Sequence, residues 1–144
     1  MQSPQSSIDS IWQQVHSEEG LPFPKTVAAL LGLGVTRYAV DYVACAVTTY
    51  VTNSISEVTV TQIPDFYSHQ GSTSPSSTMF GWDESKLRDA IRRVQAGEGN
   101  YQDFANRMVQ AGVVGYFTFL VGQRVMYYGE KGDTWMELFP GAKN

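Results

Sequence analysis

Residues 34–50 read GVTRYAVDYVACAVTTY, and residues 112–128 read GVVGYFTFLVGQRVMYY. The two stretches align without a gap at a shift of 78 positions (112 minus 34), and six of the aligned residues are identical. In both, β-branched and aromatic residues alternate with other residues on either side of a short break, which is typical of two strands joined by a tight turn. The identical pairs are Gly34 and Gly112, Val35 and Val113, Tyr38 and Tyr116, Val43 and Val121, Val47 and Val125, and Tyr50 and Tyr128. We therefore predict one β-hairpin in each half of the chain.

Two segments with helical features precede each predicted hairpin. In the first segment, Ile8, Ile11, Trp12 and Val15 recur at three- and four-residue spacing, which places them on one face of a helix. Proline at position 24 suits the first turn of the next helix, and Asp83 and Asn100 are good N-cap residues for the two helices of the second half. The predicted helices cover about 8–17, 24–31, 83–96 and 100–112.

A third strand is predicted after each hairpin, at Val58–Thr61 and at Thr134–Phe139. The correspondence between the two halves extends to these strands and, at a shift of 79, to the first helices. In this alignment Val58 and Val60 fall on Met136 and Leu138, Val15 falls on Val94, and Gly20 falls on Gly99.

Together these patterns predict an α+β fold of two pseudo-repeated helix–helix–three-strand units, in which antiparallel meanders pack with helices. Each unit is too small to bury its own sheet face, so two units together form one core. We expect a single domain over 1–144, with a first repeat at about 7–63, a linker at 64–81 and a second repeat at about 82–141. The linker is rich in Ser, Thr, Pro and Gly and has no apolar period, which is typical of an exposed loop.

The composition restricts the classes of function. The net charge of −4 gives no general attraction for nucleic acids, so we expect no nucleic-acid partner. A single cysteine excludes an intramolecular disulfide and a cysteine metal cluster. The N-terminus lacks the pattern of a secretory signal, and no apolar run approaches the roughly 20 residues that cross a bilayer. The sequence therefore predicts a soluble cytoplasmic protein without a membrane partner.

Several short motifs resemble a known family. They are Ala111-Gly112-Val113 leading to Tyr116, Gly122-Gln123-Arg124-Val125, Tyr127-Tyr128-Gly129, Gly132-Asp133-Thr134-Trp135-Met136-Glu137-Leu138-Phe139-Pro140, and Gly34-Val35-Thr36-Arg37-Tyr38. The chain resembles the domain-of-unknown-function family 1398, also called YbcV-like and sometimes labelled as a phage envelope protein. The resemblance implies a bacterial or prophage origin, an α+β fold and no established activity. Where the family pattern has a basic residue and a His, this chain has Glu130 and Trp135, so a role built on that His does not transfer.

The sequence offers no strong catalytic constellation. Cys45 lies in a predicted turn with no base nearby in sequence, which indicates a bystander thiol. The two histidines, His16 and His69, have no partner at metal-ligand spacing, so we expect no metal site and no cofactor. The basic residues of the third predicted helix lie three or four positions after carboxylates, which favours intrahelical ion pairs over a phosphate site.

The repeated tyrosines are the main candidates for ligand binding. Tyr38 and Tyr116 are equivalent in the two halves, as are Tyr50 and Tyr128. If the halves pack about a pseudo-twofold axis, a central cleft between them could be lined by Tyr38, Tyr116, Arg124, Tyr128 and Glu137. The alternative is that these rings are ordinary core aromatics, since buried tyrosines commonly place their hydroxyl near a polar partner or the surface.

Phe117 and Phe119 indicate an interface. They correspond to Ala39 and Asp41 in the first half, and with them the strand of the second half is apolar on both faces. Either a helix and another element cover this strand, or one of its faces is an interface, and in the second case we expect a homodimer. The leading hypothesis is a non-enzymatic binding or protein-interaction module, and the alternative is a small-molecule binder or enzyme with a cleft between the two repeats. A third class, a virion structural protein, rests only on the label of the family.

Overall fold

The computed structural model describes residues 4–52, 56–66 and 81–142. The elements are α1 (Pro4–Val15), α2 (Phe23–Gly32), β1 (Val35–Asp41), β2 (Ala46–Val51), β3 (Glu57–Gln62), α3 (Glu84–Gln95), α4 (Tyr101–Gln110), β4 (Val113–Phe119), β5 (Arg124–Gly129) and β6 (Thr134–Leu138). The order helix–helix–three strands occurs twice. The predicted α+β fold of two pseudo-repeated units is thereby confirmed, with element boundaries that differ by a few residues from the predicted ones.

All six strands form one antiparallel sheet, in the order β3-β2-β1-β4-β5-β6. The two meanders meet where β1 pairs with β4, and Ala39 lies opposite Phe117 at the centre of this pairing. These two residues are 78 positions apart (117 minus 39), so a pseudo-twofold axis passes between them. Joining the meanders in this way removes one exposed edge from each of them.

The backbone conformation follows the same correspondence. Gly34 and Gly112 both have positive φ, as do Cys45 and Gln123 in the two hairpin turns. The pairing of β1 with β2 is irregular between positions 35 and 37, and that of β4 with β5 is irregular between 113 and 115. Each of these pairs is separated by 78 positions. The hairpins of the two halves are therefore superimposable in detail, including residues that have no sequence identity.

The predicted correspondence of the third strands is wrong by two positions. Val60 pairs with Thr48, whereas Met136 pairs with Met126. Because Thr48 and Met126 are equivalent at the shift of 78, Val60 corresponds to Met136 and not to Leu138. The physical reason is a shorter connection: five residues separate Tyr128 from its partner Thr134, whereas seven separate the equivalent Tyr50 from its partner Val58.

The start of the predicted linker belongs to the core. Ile63 and Phe66 are buried, and the backbone N–H of Ile63 donates to the carbonyl oxygen of Cys45 at 2.9 Å. The prediction of an exposed segment is therefore wrong for Phe66, whose aromatic side chain reaches the core, whereas Asp65 is exposed as predicted. The segment 67–80 lies outside the described residues.

The four helices cover one face of the sheet. Side chains of β1 and β2 alternate between this buried face and the other, half-exposed face. Two polar contacts fix α1 on the sheet: Trp12 Nε1 donates to Thr49 Oγ1 at 2.9 Å, and Thr61 Oγ1 donates to Asp9 Oδ1 at 2.5 Å. On the opposite face of the sheet, the described residues include no helix.

Local capping explains where the second helix pair begins. The Asp83 side chain accepts a hydrogen bond from the backbone N–H of Lys86. Asn100 forms a capping box with Asp103, in which each side chain accepts a hydrogen bond from the backbone of the other residue. Both N-caps predicted from the sequence are thus confirmed, and they set where α3 and α4 start along the sheet.

Candidate functional site

A cleft of about 710 Å³ lies between the two helix pairs, on the covered face of the sheet. One wall comes from α1, α2 and the loop that joins them, and the other wall comes from α3, α4 and their loop. The floor comes from β1, β4, β5 and β6, which straddle the central pairing of the sheet. The volume falls within the range of small-molecule sites, and most of the lining side chains are aliphatic or aromatic.

Contacts beside the cleft join its walls. Phe23 of α2 packs edge-to-face on Phe139, which follows β6, with 5.0 Å between the ring centroids. The two helix pairs also contact each other directly: Asn100 Nδ2 donates to the carbonyl oxygen of Glu18 at 3.1 Å, and Gln102 Nε2 donates to that of His16 at 2.9 Å.

Tyrosine hydroxyls form a chain at the floor. The hydroxyl groups of Tyr101 and Tyr116 are 2.5 Å apart, and those of Tyr42 and Tyr101 are 3.4 Å apart. Tyr101 starts α4, whereas Tyr42 follows β1 and Tyr116 lies in β4. The hydroxyl chain consequently connects the second helix pair to the centre of the sheet, where the two halves join.

Burial raises the pKa of four tyrosines in or beside this floor: Tyr38, Tyr101, Tyr116 and Tyr127. Desolvation is the largest cause in each case, because a buried phenolate loses its hydration. A nearby negative charge, that of Glu137, further raises the pKa of Tyr127. At neutral pH these hydroxyls are therefore protonated, and they can donate or accept hydrogen bonds but do not act as bases.

Thr118 is a fully buried polar residue at the floor of the cleft. Its side chain is 0% exposed. A hydrogen bond between its hydroxyl and that of Tyr38 lowers the pKa of Tyr38, although desolvation outweighs this effect. The Oγ1 atom has no other hydrogen-bond partner among the described residues, and because it is inaccessible to water the hydroxyl is part of the packed floor.

Glu137 contributes a carboxylate to the cleft from β6. Its Oε1 accepts a hydrogen bond from Trp135 Nε1 at 3.0 Å, which fixes the side chain on the covered face of the sheet. The guanidinium of Arg88 lies over the Trp135 ring, 5.7 Å from its centroid. Arg88 also lines a second, smaller pocket of about 340 Å³ beside α3, which shares Ile91, Gln95 and Glu137 with the main cleft.

Tyr38, Tyr116 and Glu137, three of the residues proposed from the sequence, do line this cleft. The other two, Arg124 and Tyr128, lie on the opposite face of the sheet. They are separated from the cleft because Val125 and Tyr127 point towards the helices, and adjacent residues of a strand point to opposite faces. The proposed set of five therefore does not form one site.

Sequence reasoning missed other lining residues, among them Trp12, Tyr101, Thr118 and Tyr127. A usable signal existed for Tyr127. Val125 is equivalent to the apolar Val47, and the alternation then places position 127, not 128, on the same face. The same alternation gave a signal for Thr118, which stands two positions after Tyr116 in β4 and therefore lies on the same face. For Tyr101 the sequence carries no signal, since its role depends on how α4 packs on the sheet.

The open face of the sheet carries the proposed interface residues. Phe117 stacks on Phe119 and on Tyr128, with centroid distances of 6.4 and 5.6 Å. Further out, Val58, Val60 and Met136 are 59%, 63% and 49% exposed, respectively. These residues lie on the face of the sheet opposite the helices, which is called here the open face. Polar side chains between them, such as that of Thr48 beside Val60, interrupt the apolar surface.

The remaining candidates from the sequence have ordinary structural roles. Burial raises the pKa of the Cys45 thiol, aided by the charges of Asp65 and Asp41, so the thiol is not an activated nucleophile. Burial lowers the pKa of His16, whose Nδ1 donates to the carbonyl oxygen of Trp12 at 2.9 Å. His16 is therefore neutral at physiological pH and packs as an aromatic residue.

The predicted ion pairs on the third helix are confirmed for two arginines. Asp89 contacts Arg92 at 3.5 Å and Arg93 at 2.8 Å, on an exposed side of α3. Arg88 instead lies over Trp135. Within the ranges 4–52, 56–66 and 81–142, His, Cys, Asp and Glu form no cluster of three or more that could hold a metal ion. In the same ranges, every helix is too short or too polar to span a membrane.

The comparison with protein families identifies the chain. A family model described as protein of unknown function (DUF1398) matches residues 9–137. This range includes most of the first helix and nearly all of the sheet. None of the curated proteins matches the chain in sequence. The resemblance found in the strand motifs is thus confirmed, and the chain belongs to the DUF1398 family of proteins of unknown function.

Proposed function

We propose that this protein is a cytoplasmic, non-enzymatic binding protein that holds a small apolar molecule in the cleft between its two helix pairs. The observation that carries this proposal is a cleft of about 710 Å³ whose lining is mostly aliphatic and aromatic. A ligand with an apolar body would replace water against the aromatic walls.

The chemistry of the floor supports binding over catalysis. The raised pKa values of Tyr38, Tyr116 and Tyr127 keep these hydroxyls protonated at neutral pH, so they offer no base. Hydroxyls of this kind orient a ligand through directional hydrogen bonds. The few polar groups among many apolar ones are typical of a small-molecule site.

Binding of Nile red, a neutral dye that fluoresces in apolar pockets, tests the proposal. Val94 lines the cleft from α3, so Val94→Trp should fill part of the cavity and weaken dye binding by about tenfold or more, which corresponds to about 1.4 kcal/mol. Val121→Trp is the matched control, because Val121 is exposed in a hairpin turn away from the cleft. Equal dye binding by both variants and the native protein would refute a ligand site in the cleft.

We propose, as a second function, that the open face pairs with a second copy of the chain. The support is the charge pattern around Phe117 and Phe119. At one end of the open face Arg37 and Arg124 flank Phe119, and at the other end Asp41 lies beside Gly115. A twofold axis that is parallel to the sheet and perpendicular to its strands would pack the open faces of two copies together. The basic end of one copy would then lie over the acidic end of the other.

The mass in solution tests the homodimer. We expect light scattering to give twice the 16.0 kDa chain mass for the native protein. Val60→Asp places a charge on the open face and should weaken dimerisation by about thirtyfold, or about 2 kcal/mol, because two carboxylates are desolvated in each dimer. Val43→Asp is the control, since Val43 is similarly exposed but lies in the turn after β1. A native protein of single-chain mass at high concentration would contradict the dimer.

A further inference from the structure

The charged lining of the cleft has a single sign. Among the described residues that line it, the charged side chains are Glu19 at the rim and Glu137 at the floor, and no lysine or arginine takes part. Glu137 forms no salt bridge with any described residue; its one described hydrogen bond is from Trp135. The charged side chains that line the cleft are therefore all negative, and they lie beside a mostly apolar wall.

Aromatic rings reinforce this potential. Eight aromatic side chains line the cleft: Trp12, Phe23, Tyr38, Tyr101, Phe104, Tyr116, Tyr127 and Phe139. The face of an aromatic ring carries partial negative charge and attracts cations, most strongly where water is excluded. Because the tyrosine hydroxyls remain protonated, they add oxygen acceptors without adding a competing formal charge.

The arginines that share a pocket with Glu137 line the neighbouring pocket and not the cleft. Arg88 lies over Trp135 there, and Arg92 lines the same pocket and contacts Asp89 at 3.5 Å. Arg37 and Arg124 lie on the open face, where the Arg37 guanidinium is 3.7 Å from the centroid of the Tyr50 ring. None of these four arginines lines the cleft, so the charges that face a ligand there are those of Glu19 and Glu137.

We infer that the cleft selects an organic cation, namely an amine or quaternary ammonium group attached to an apolar body. Glu137 and the surrounding rings recognise the cationic group, and the aliphatic and aromatic walls hold the apolar body. This inference rests on the proposed function of the cleft as a ligand site and names the class of ligand. It excludes carboxylates, phosphates and sulfonates, for which the cleft offers no charged donor.

Three probes that share one shape test the inference: benzyltrimethylammonium, its neutral carbon isostere neopentylbenzene, and the anion phenylmethanesulfonate. We expect the cation to bind about tenfold more tightly than the neutral isostere, since cation–π contacts with the rings and the negative charge of Glu137 both favour the cation. The anion should not bind. Quenching of tryptophan fluorescence reports binding, because Trp12 lines the cleft.

Glu137→Gln separates charge from shape. The glutamine amide oxygen can still accept the hydrogen bond from Trp135 Nε1, so the fold is retained while the charge is removed. We expect the preference for the cation over the isostere to fall by about fivefold, leaving the contribution of the rings. Glu130→Gln, in the exposed turn after β5, is the matched control and should leave the preference unchanged.

The outcomes distinguish this inference from the proposed function. Equal affinity for cation and isostere, or tighter binding of the anion, would overturn the cation preference while leaving a ligand site in place. Failure of all three probes would also overturn it, and Nile red binding that depends on Val94 would then show that the cleft still serves as a site. If Glu137→Gln keeps the same preference for the cation over the neutral isostere, Glu137 does not take part in recognising the cationic group.

Discussion

Gly112→Ala is expected to lower the free energy of unfolding by about 3–5 kcal/mol, one of the largest effects of a single methyl group in this fold. Gly112 joins α4 to β4 with a φ of +87°, a conformation that costs an L-residue about 1–2 kcal/mol. A β-carbon there would also lie 2.5 Å from the carbonyl oxygen of Gly81 and 2.7 Å from the Cα of Trp82. Both contacts are with backbone, which cannot rotate away. Urea denaturation measures the change.

Gly132→Ala is the control for backbone strain alone. Gly132 has a φ of +91°, but a β-carbon there would meet no atom within 4 Å. We therefore expect a loss of only about 1–2 kcal/mol. An equal loss of unfolding free energy in Gly112→Ala and Gly132→Ala would contradict the close packing of residues 81–82 against Gly112.

The free energy of unfolding should fall steeply above pH 10. Four buried tyrosines, Tyr38, Tyr101, Tyr116 and Tyr127, have a pKa raised above the unfolded value of 10.0. Above pH 10 the unfolded chain releases these protons and the folded protein retains them. Their stabilising contribution is thus fully present below pH 10 and is lost as the pH rises towards the folded pKa values. Four such groups give a slope of about 5 kcal/mol per pH unit, enough to unfold a domain of this size.

Absorbance at 295 nm, which follows phenolate formation, checks this when recorded together with circular dichroism. Part of the tyrosine absorbance should appear only as the secondary structure is lost, and urea-unfolded protein should titrate in one step near pH 10. Tyr127→Phe removes one of the four groups and should reduce the slope by about a quarter. Titration of all tyrosines near pH 10 with an unchanged circular dichroism spectrum would contradict the burial of these four tyrosine hydroxyls.

Local patterns in the sequence predicted the elements well because the determinants are local. Alternation in 34–50 and 112–128 defines the hairpins, and the side-chain caps Asp83 and Asn100 define two helix starts. The correspondence of the two halves also predicted equivalent turns, and Cys45 and Gln123 indeed share a positive φ. Turn length was less predictable, so the third strands were misaligned by two positions.

The site was only partly predictable, because a cleft depends on how elements pack. The sequence indicated Tyr38, Tyr116 and Glu137, since repeated tyrosines and a carboxylate within an apolar strand are unusual. It could not show that α4 brings Tyr101 onto the hydroxyl of Tyr116. The sequence-based prediction also placed Arg124 in the cleft. This happened because the correspondence of strand positions between the two halves does not show which face of the sheet the helices cover.

Methyl NMR spectra of the protein titrated with indole, a neutral aromatic probe, test whether the cleft is a ligand site. Val125 and Met126 are adjacent in β5 but point to opposite faces of the sheet, so their methyl groups report separately on the cleft and on the open face. If the ligand binds in the cleft, we expect the methyl signals of Val94 and Val125 to shift with saturation and those of Met126 and Met136 to stay unchanged. Shifts confined to Met126 and Met136, or the absence of saturable shifts at Val94 and Val125, would contradict a ligand site in the cleft.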